Sequence, residues 1–537
     1  MWDPVPPDLI QIEPCIVARF RRTGQQPRPI SNVPSGPGTP GRITGMSVVR
    51  HTVYNLTGAI GSLLIVLVTV PFYLERIGAV RYGILAIVWM ILGYFGLFNL
   101  GLTRATTHRI AQLADGRERE EVFWTAVVLN AALGFAGGLI LYGAGLFLVG
   151  PVLTLAPALV HQIQVSLPYL ALAVPLSTTT SVLTGALEAR ERFGTVNLVQ
   201  LAGSFLYYVT PLLAAYFWSP ALDVLIPVTV AARAVSVLFF IPPLIRALPL
   251  RHAPRLHTGQ ALRLFRYGFW ITLTDIIGPL LTTIDRLVIG ALDGAAAVTF
   301  YVIPSNLASR GSILASSLSR ALFPHLSAAE PAVARATAVR AVMELNGLMT
   351  PFVLLGIFLM HPFLALWISP AFAIQAAPVG EIFLLGIWVN ALALIPSTLI
   401  QAMGRPDLTA RFHLLELVPY LALLWFGLVE YGLPGAAVAW VLRVGADTVL
   451  LFGFSGLLVR PVVIRLVPFF LLVAGGGFLR VWLPPASRLR LGVEAGWFLM
   501  ATGCAFVTSE WLRSFLKSLP IALRTTLGRL RAARSSE

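Results

Sequence analysis

Cysteine is almost missing from this sequence: Cys15 and Cys504 are the whole complement, so neither a disulfide framework nor a Cys-based metal site is available. Charge is scarce as well. Asp, Glu, Lys and Arg make up 12% of the residues and hydrophobic types 57%, whereas soluble domains carry about 25% charged residues. That deficit excludes an ordinary globular protein for most of the chain. No GxxxxGK[ST] loop occurs, which removes ATP hydrolysis by that route. The eight histidines include no pair at metal-ligand spacing within an apolar run, so no cofactor and no metal ion is expected.

What is present is a succession of apolar runs, each about 20 residues long and able to cross a bilayer as a helix. Fourteen fit between residues 51 and 512, among them 51–74, 82–102, 267–291, 295–319, 408–429, 434–459, 461–483 and 491–512. The fold class expected is an all-α polytopic membrane protein. Residues 1–45, rich in Pro, Gly and Arg, read as a disordered cytoplasmic tail, with Met46 as an alternative start; no compact signal-peptide core is present. A basic connector at 246–266 and a basic tail at 513–537 complete the polar segments. The formal charge of +15 would suggest nucleic acid in a soluble protein. Here the basic residues cluster between apolar runs, where membrane orientation accounts for them, and no nucleic acid is expected. Of the 39 Lys and Arg residues, only Arg76, Arg81, Arg480, Arg488 and Arg490 fall on connectors of the side opposite the termini. The positive-inside rule therefore places both termini in the cytoplasm, with the Arg480–Arg490 connector as the one dissent. Connectors on the outer side are too short, at roughly 17 residues or fewer, to form a domain.

The chain also repeats itself. One offset lays Gly78 on Gly294 and Arg104 on Arg320, at matching ends of the second and eighth runs, and a similar one lays Arg233 on Arg443. Six runs thus correspond to six in the same orientation, the arrangement of two halves related by an axis along the membrane normal. The organisation expected is two six-helix lobes, 46–245 and 267–459, enclosing a central cavity, with two appended helices in 460–512.

Charges inside the runs are the candidate functional residues, because an ionised side chain at membrane depth costs about 2.5–3.5 kcal/mol and is expected to face protein or a wet cavity. At about 1.5 Å per helical residue, Asp275 and Arg310 fall at similar depth and could pair. Asp285 and Arg286 sit higher and point in different directions. Arg443 and Asp447 stand four apart, the spacing of an intrahelical ion pair. Arg233 has Val237 in the corresponding place and lacks that local partner.

Three stretches carry a family resemblance. They are NLTGAIGSLLIVLVTVPFYLERIGAVRYGILAIVWMILGYFGLFNLGLTRATTHRIAQL; the central segment with Asp285, a Gly-containing turn, Tyr301 and the LFPHLS ending; and the pattern of Pro396, Gly404, Arg405, Pro406, Glu416, Gly432, Gly435 and Asp447. Together, over roughly residues 47–455, they resemble the oligosaccharide flippases of the polysaccharide transport family, in the multidrug/oligosaccharidyl-lipid/polysaccharide exporter superfamily. Asn99 departs from the pattern, standing where members often carry Asp, and that puts an ion-coupling role there in doubt. The resemblance implies a twelve-helix, two-lobe core with alternating access and the export of a polyprenyl-diphosphate-linked oligosaccharide to the outer leaflet of a bacterial inner membrane. Membrane lipids, a glycan polymerase and other export-machinery proteins are the partners it implies, and it implies no enzymatic activity. Arg310, Arg233, Arg286 and Arg443 are then the candidates for binding the diphosphate, since the guanidinium stays charged and forks onto phosphate oxygens. Asp275, Asp285 and Asp447 are candidates for ion coupling or helix pairing. The alternatives are a flippase for the peptidoglycan precursor, a multidrug exporter of the same superfamily, and a membrane glycan polymerase or ligase. The last is disfavoured by the lack of a long outer loop.

Overall fold

The computed structural model describes residues 45–94, 106–107, 109–110, 113, 116–149, 156–190, 192–248, 281, 283–482 and 488–509. Asp275, Asn99, Arg104, both tails and most of the 246–266 connector lie outside the described residues. Contacts divide the chain into units 1–53 and 54–537. In the first, the described residues are helical; the account below concerns the second.

Every element is a helix, as a chain without water at its backbone requires: each N–H and C=O must bond within its own segment. In order these are α1 (Gly45–Tyr94), α2 (Gly116–Leu148), α3 (Pro157–Glu188), α4 (Phe193–Phe217), α5 (Leu222–Leu238), α6 (Ile241–Ala247), α7 (Ile284–Leu292), α8 (Gly294–Ser309), α9 (Ser312–Ala328), α10 (Pro331–Trp367), α11 (Pro370–Ala402), α12 (Pro406–Ser455), α13 (Arg460–Trp482) and α14 (Arg488–Thr508). The protein is a multi-pass membrane protein. Ten helices among the described residues are long and apolar enough to cross a membrane, against the fourteen runs expected. The difference has identifiable sources. The first and second runs form the single element α1, broken at Gly78 (φ 74°, ψ 168°), and the eleventh and twelfth form α12, broken at Gly432 (φ 63°, ψ −149°). The seventh run is described only from residue 281, and the eighth divides into α8 and α9 where the ladder tightens to i→i−3 bonds at Arg310 and Gly311.

Gly78 and Gly294, which the repeat superimposes, both turn in the left-handed region (φ 74° and 82°), where a β-carbon would be strained. Each lets one helix follow another with almost no loop. Nearby, α1 and α8 approach until Thr299 Oγ1 donates to the carbonyl of Ala79 at 2.6 Å. Gly83 is the point of contact: a β-carbon there would overlap the carbonyl oxygen of Ala295 and stand 2.9 Å from Thr299 Oγ1. Small residues at such crossings replace the hydrophobic effect, which does little between helices in lipid, with close van der Waals contact. Farther along α1, Trp367 of α10 donates its indole N–H to the carbonyl of Leu67 at 2.6 Å.

The pair α13–α14 is bolted to α10 and α11 by charge. Arg480 donates to Glu381 Oε1 at 2.8 Å, to the carbonyl of Phe358 at 2.9 Å and to Glu494 Oε1 at 3.4 Å, while Arg490 donates to the same Glu494 oxygen at 2.8 Å. Two arginines and two glutamates cancel, and all four side chains are at most 16% exposed. The dissenting charges of the Arg480–Arg490 connector are thus largely paired, which leaves them little weight as free positive charge.

Candidate functional site

A cavity of about 740 Å³ opens among α1, α3, α4 and α5, with Trp89, Ser177, Thr180, Asn197, Gln200 and Arg233 in its wall. Serine, threonine, amide and aromatic groups dominate the lining, and among the described residues no acid takes part and Arg233 is the one charged side chain. Several hydroxyls are partly spent on their own helices: Thr180 donates to Leu176, Ser181 to Ser177 and Ser236 to Arg233. Such i−4 and i−3 bonds are what keep a polar side chain tolerable at membrane depth. Their oxygen lone pairs remain available to a ligand.

The aromatic wall is a cluster around Trp89. Its ring lies 5.4 Å from Tyr73, 5.9 Å from Tyr82, 6.2 Å from Tyr207 and 5.2 Å from Tyr208, mostly edge to face, the arrangement the ring quadrupole favours. Tyr73 fixes the cluster to α4 by donating to the Tyr208 carbonyl at 2.7 Å. Arg233 lies over the Tyr207 ring with its guanidinium carbon 5.9 Å from the centroid, and its buried Nε has no hydrogen-bond partner. Arg310 is exposed and, like Arg233, lies within electrostatic reach of Tyr208. Arg286 lies within reach of Tyr82, and its Nη2 donates to Asn306 at 2.9 Å. Of the four arginines singled out from sequence, Arg233 touches the aromatic cluster and lines the cavity, while Arg310 and Arg286 lie within electrostatic reach of its tyrosines. The expected pairing of Arg310 with Asp275 lies outside the described residues.

Asp285 is spent on structure. It is buried at 3% exposure, accepts from the Tyr301 hydroxyl at 2.7 Å and from the Arg286 backbone at 2.8 Å, and so pins α7 to α8. Arg443 and Asp447, four apart, stay within electrostatic reach of one another, and Arg443 Nη1 also meets Glu416 Oε2 at 3.7 Å. The break at Gly432 folds α12 back so that its two arms face one another, and a residue of the opposite arm joins the pair. Glu416 and Asp447 come together there with His413, their ligand atoms all within 4.8 Å of one another. His413 and Glu416 stand three apart on one arm, but Asp447 joins them only across the break, so the trio as a whole has no single-helix spacing.

A second signal was available in the repeat. Arg443 lies over Tyr420 at 5.6 Å as Arg233 lies over Tyr207, so each half carries an arginine stacked on a tyrosine of the preceding crossing. Sequence reasoning found the arginines and missed Tyr207, Tyr208, Trp89 and Tyr420, since a lone aromatic in an apolar run gives no sign of which neighbour it meets.

Comparison with known proteins gives a consistent set. The family described as "Polysaccharide biosynthesis protein" matches residues 48–330. A Shigella flexneri protein described as "Putative O-antigen transporter" is 30% identical over 422 residues, 76% of this chain and 97% of that protein. Among solved structures, the lipid II flippase MurJ in an inward closed conformation aligns with a TM-score of 0.62 at 13% identity, covering 85% of this chain and 99% of that one. An inward-facing multidrug resistance MATE family transporter of the MOP superfamily aligns at 0.57 and 14% identity, covering 78% and 95%. At these identities the two structures speak for a shared fold.

Proposed function

Because the chain belongs to the polysaccharide biosynthesis protein family, we propose that it flips a polyprenyl-diphosphate-linked oligosaccharide from the cytoplasmic to the outer leaflet of a bacterial inner membrane by alternating access. The observation that carries this reading is the cavity: hydroxyls, amides and aromatic faces suited to sugar, with Arg233 the one charged side chain and no acid among its described lining residues. Arg233 and Arg310, with Arg286 in support, form the cationic surface for the diphosphate. The Arg233 charge repels a cationic drug, which disfavours the multidrug reading. A diphosphate diester carries about two negative charges, whose passage through bare lipid would cost tens of kcal/mol in the Born limit. Moved outward across the full field, the same charges gain on the order of 4–5 kcal/mol at 100 mV.

Both termini are cytoplasmic in this reading, the halves 46–245 and 267–459 act as the two lobes, and a glycan polymerase receives the product on the outer side. No catalysis is assigned to the chain. The test is in cells: deletion of the gene causes lipid-linked intermediates to accumulate on the cytoplasmic side, the intact gene clears them, and Arg233→Ala inserts normally but does not. Clearance by a well-expressed Arg233→Ala, Arg310→Ala double variant would end the proposed role of these side chains.

A further inference from the structure

The two arginine-on-tyrosine pairs have been finished differently. Counting back from Tyr420 to Tyr207 lays His413 on Gln200 and Glu416 on Gly203, and counting back from Arg443 to Arg233 lays Asp447 on Val237. Where the first half leaves uncharged residues and open space, with Gln200 and Gly203 in the cavity wall, the second half has two carboxylates and an imidazole. Glu416 and Asp447 are each 6% exposed. Neither oxygen of Glu416 has a hydrogen-bond partner, nor has Asp447 Oδ1 or His413 Nδ1. Buried polar groups are seldom left so, and an unfilled acceptor at membrane depth implies something that fills it.

We propose that Glu416 and Asp447 hold a single exchangeable proton between them, loaded and released through His413, and that this is the ion site of the transporter. Charge decides the occupant. Two carboxylates and the Arg443 guanidinium leave one negative charge, which one proton cancels, whereas a divalent ion would leave the site positive. Two carboxylates this close do not both stay ionised without a proton or a cation. An alkali ion is the poorer fit, because hard cations take oxygen donors and the third group here is imidazole.

The surrounding groups do not upset this balance. On α12 itself the neighbours are Arg443 and Tyr420; α7 presents Asp285 and Arg286, which cancel, and α8 presents Tyr301, already donating to Asp285. Among the described residues the other helix closely packed on α12 is α11, whose one titratable residue, Glu381, is held by Arg480. His413 is the one partly exposed member of the trio, its side chain 27% accessible, with Nδ1 3.9 Å from Glu416 Oε2. Imidazole exchanges protons with water near neutral pH. A side-chain rotation brings imidazolium N–H onto the carboxylate, the proton passes to oxygen, and neutral His413 recharges from water. The use of the site in transport rests on the flippase reading; its protonation does not.

Infrared difference spectroscopy on the full chain in liposomes, taken between about pH 5 and pH 8 around the imidazole range, tests the proposal without any transport substrate. A protonated-carboxyl C=O band should titrate in the wild-type protein, shift in deuterium oxide, and be lost in both Glu416→Gln and Asp447→Asn. In His413→Gln the band should persist but exchange with deuterium at least tenfold more slowly. A band that survives the double Glu416→Gln, Asp447→Asn variant, or no such band in the wild type, overturns the assignment. Displacement of the wild-type band by Na⁺ at fixed pH, which needs no variant to fold, would overturn the proton in favour of an alkali ion. Failure of export with the band intact would instead count against the flippase reading.

Discussion

One added carbon at Gly83 perturbs the molecule where α1 and α8 touch. In Gly83→Ala the new methyl overlaps the Ala295 carbonyl oxygen and stands 2.9 Å from Thr299 Oγ1, and the obstacle is backbone, so rotating a side chain cannot relieve it. The helices must separate. Overpacking of this kind costs about 1–3 kcal/mol, and loss of the Thr299–Ala79 hydrogen bond adds about 0.5–1.5 kcal/mol. If the contact closes one end of an alternating-access cycle, a penalty of about 1.5–4.5 kcal/mol at about 1.4 kcal/mol per tenfold shifts that equilibrium roughly 10- to 1,600-fold away from the closed form. Spin labels at Val80 and Leu292, exposed on either side of the contact at 42% and 46%, report the separation once Cys15 and Cys504 are replaced by Ser. The distance distribution should move outward and lipid-linked intermediates should accumulate. An unchanged distribution together with full export would refute both the packing and its role as a gate.

Arg480→Ala strands the buried Glu381 and weakens Glu494's pairing; breaking such a pair costs about 3–5 kcal/mol, so thermal unfolding in detergent should fall sharply, with partial recovery in Arg480→Ala, Glu381→Gln. Tyr301→Phe deletes one donor to buried Asp285 and should destabilise by about 1.5–3 kcal/mol, read by the same unfolding assay, without changing the cavity wall. A cysteine replacing exposed Asp293 should react with an impermeant maleimide added outside intact cells, and one at Ala253 only after permeabilisation; the reverse pattern would invert the orientation. Arg233→Lys keeps the charge and loses the planar fork, so it should export less than wild type but more than Arg233→Ala, measured as cleared intermediate per unit of inserted protein.

Much of the fold was legible because a bilayer enforces it: apolar length alone marks the crossings, and Gly78 and Gly294, which the sequence offset superimposes, both turn in the left-handed region. What the runs could not reveal is how they join. Gly78 and Gly432 leave so little between helices that α1 and α12 each continue across two expected crossings, and no hydropathy window distinguishes a tight turn from a kink. The candidate charges were legible one at a time, since an arginine in an apolar run stands out by cost. Their partners were not. Four residues along one helix is the contact a linear reading can see, so Asp447 was the partner visible for Arg443, while Glu416 reaches it across a break 16 residues after Glu416 and 11 before Arg443. Asp285 likewise found Tyr301, beyond the Gly294 turn.

The single-residue turns at Gly78, Gly294 and Gly432 also decide what can be attached to this protein. An epitope, a fluorescent domain or a biotin-acceptor peptide needs a stretch of slack chain at its insertion point, and these three positions have none: anything spliced there must first pull apart the two helices it joins. The same economy leaves little for a protease or an antibody to grip at these three turns.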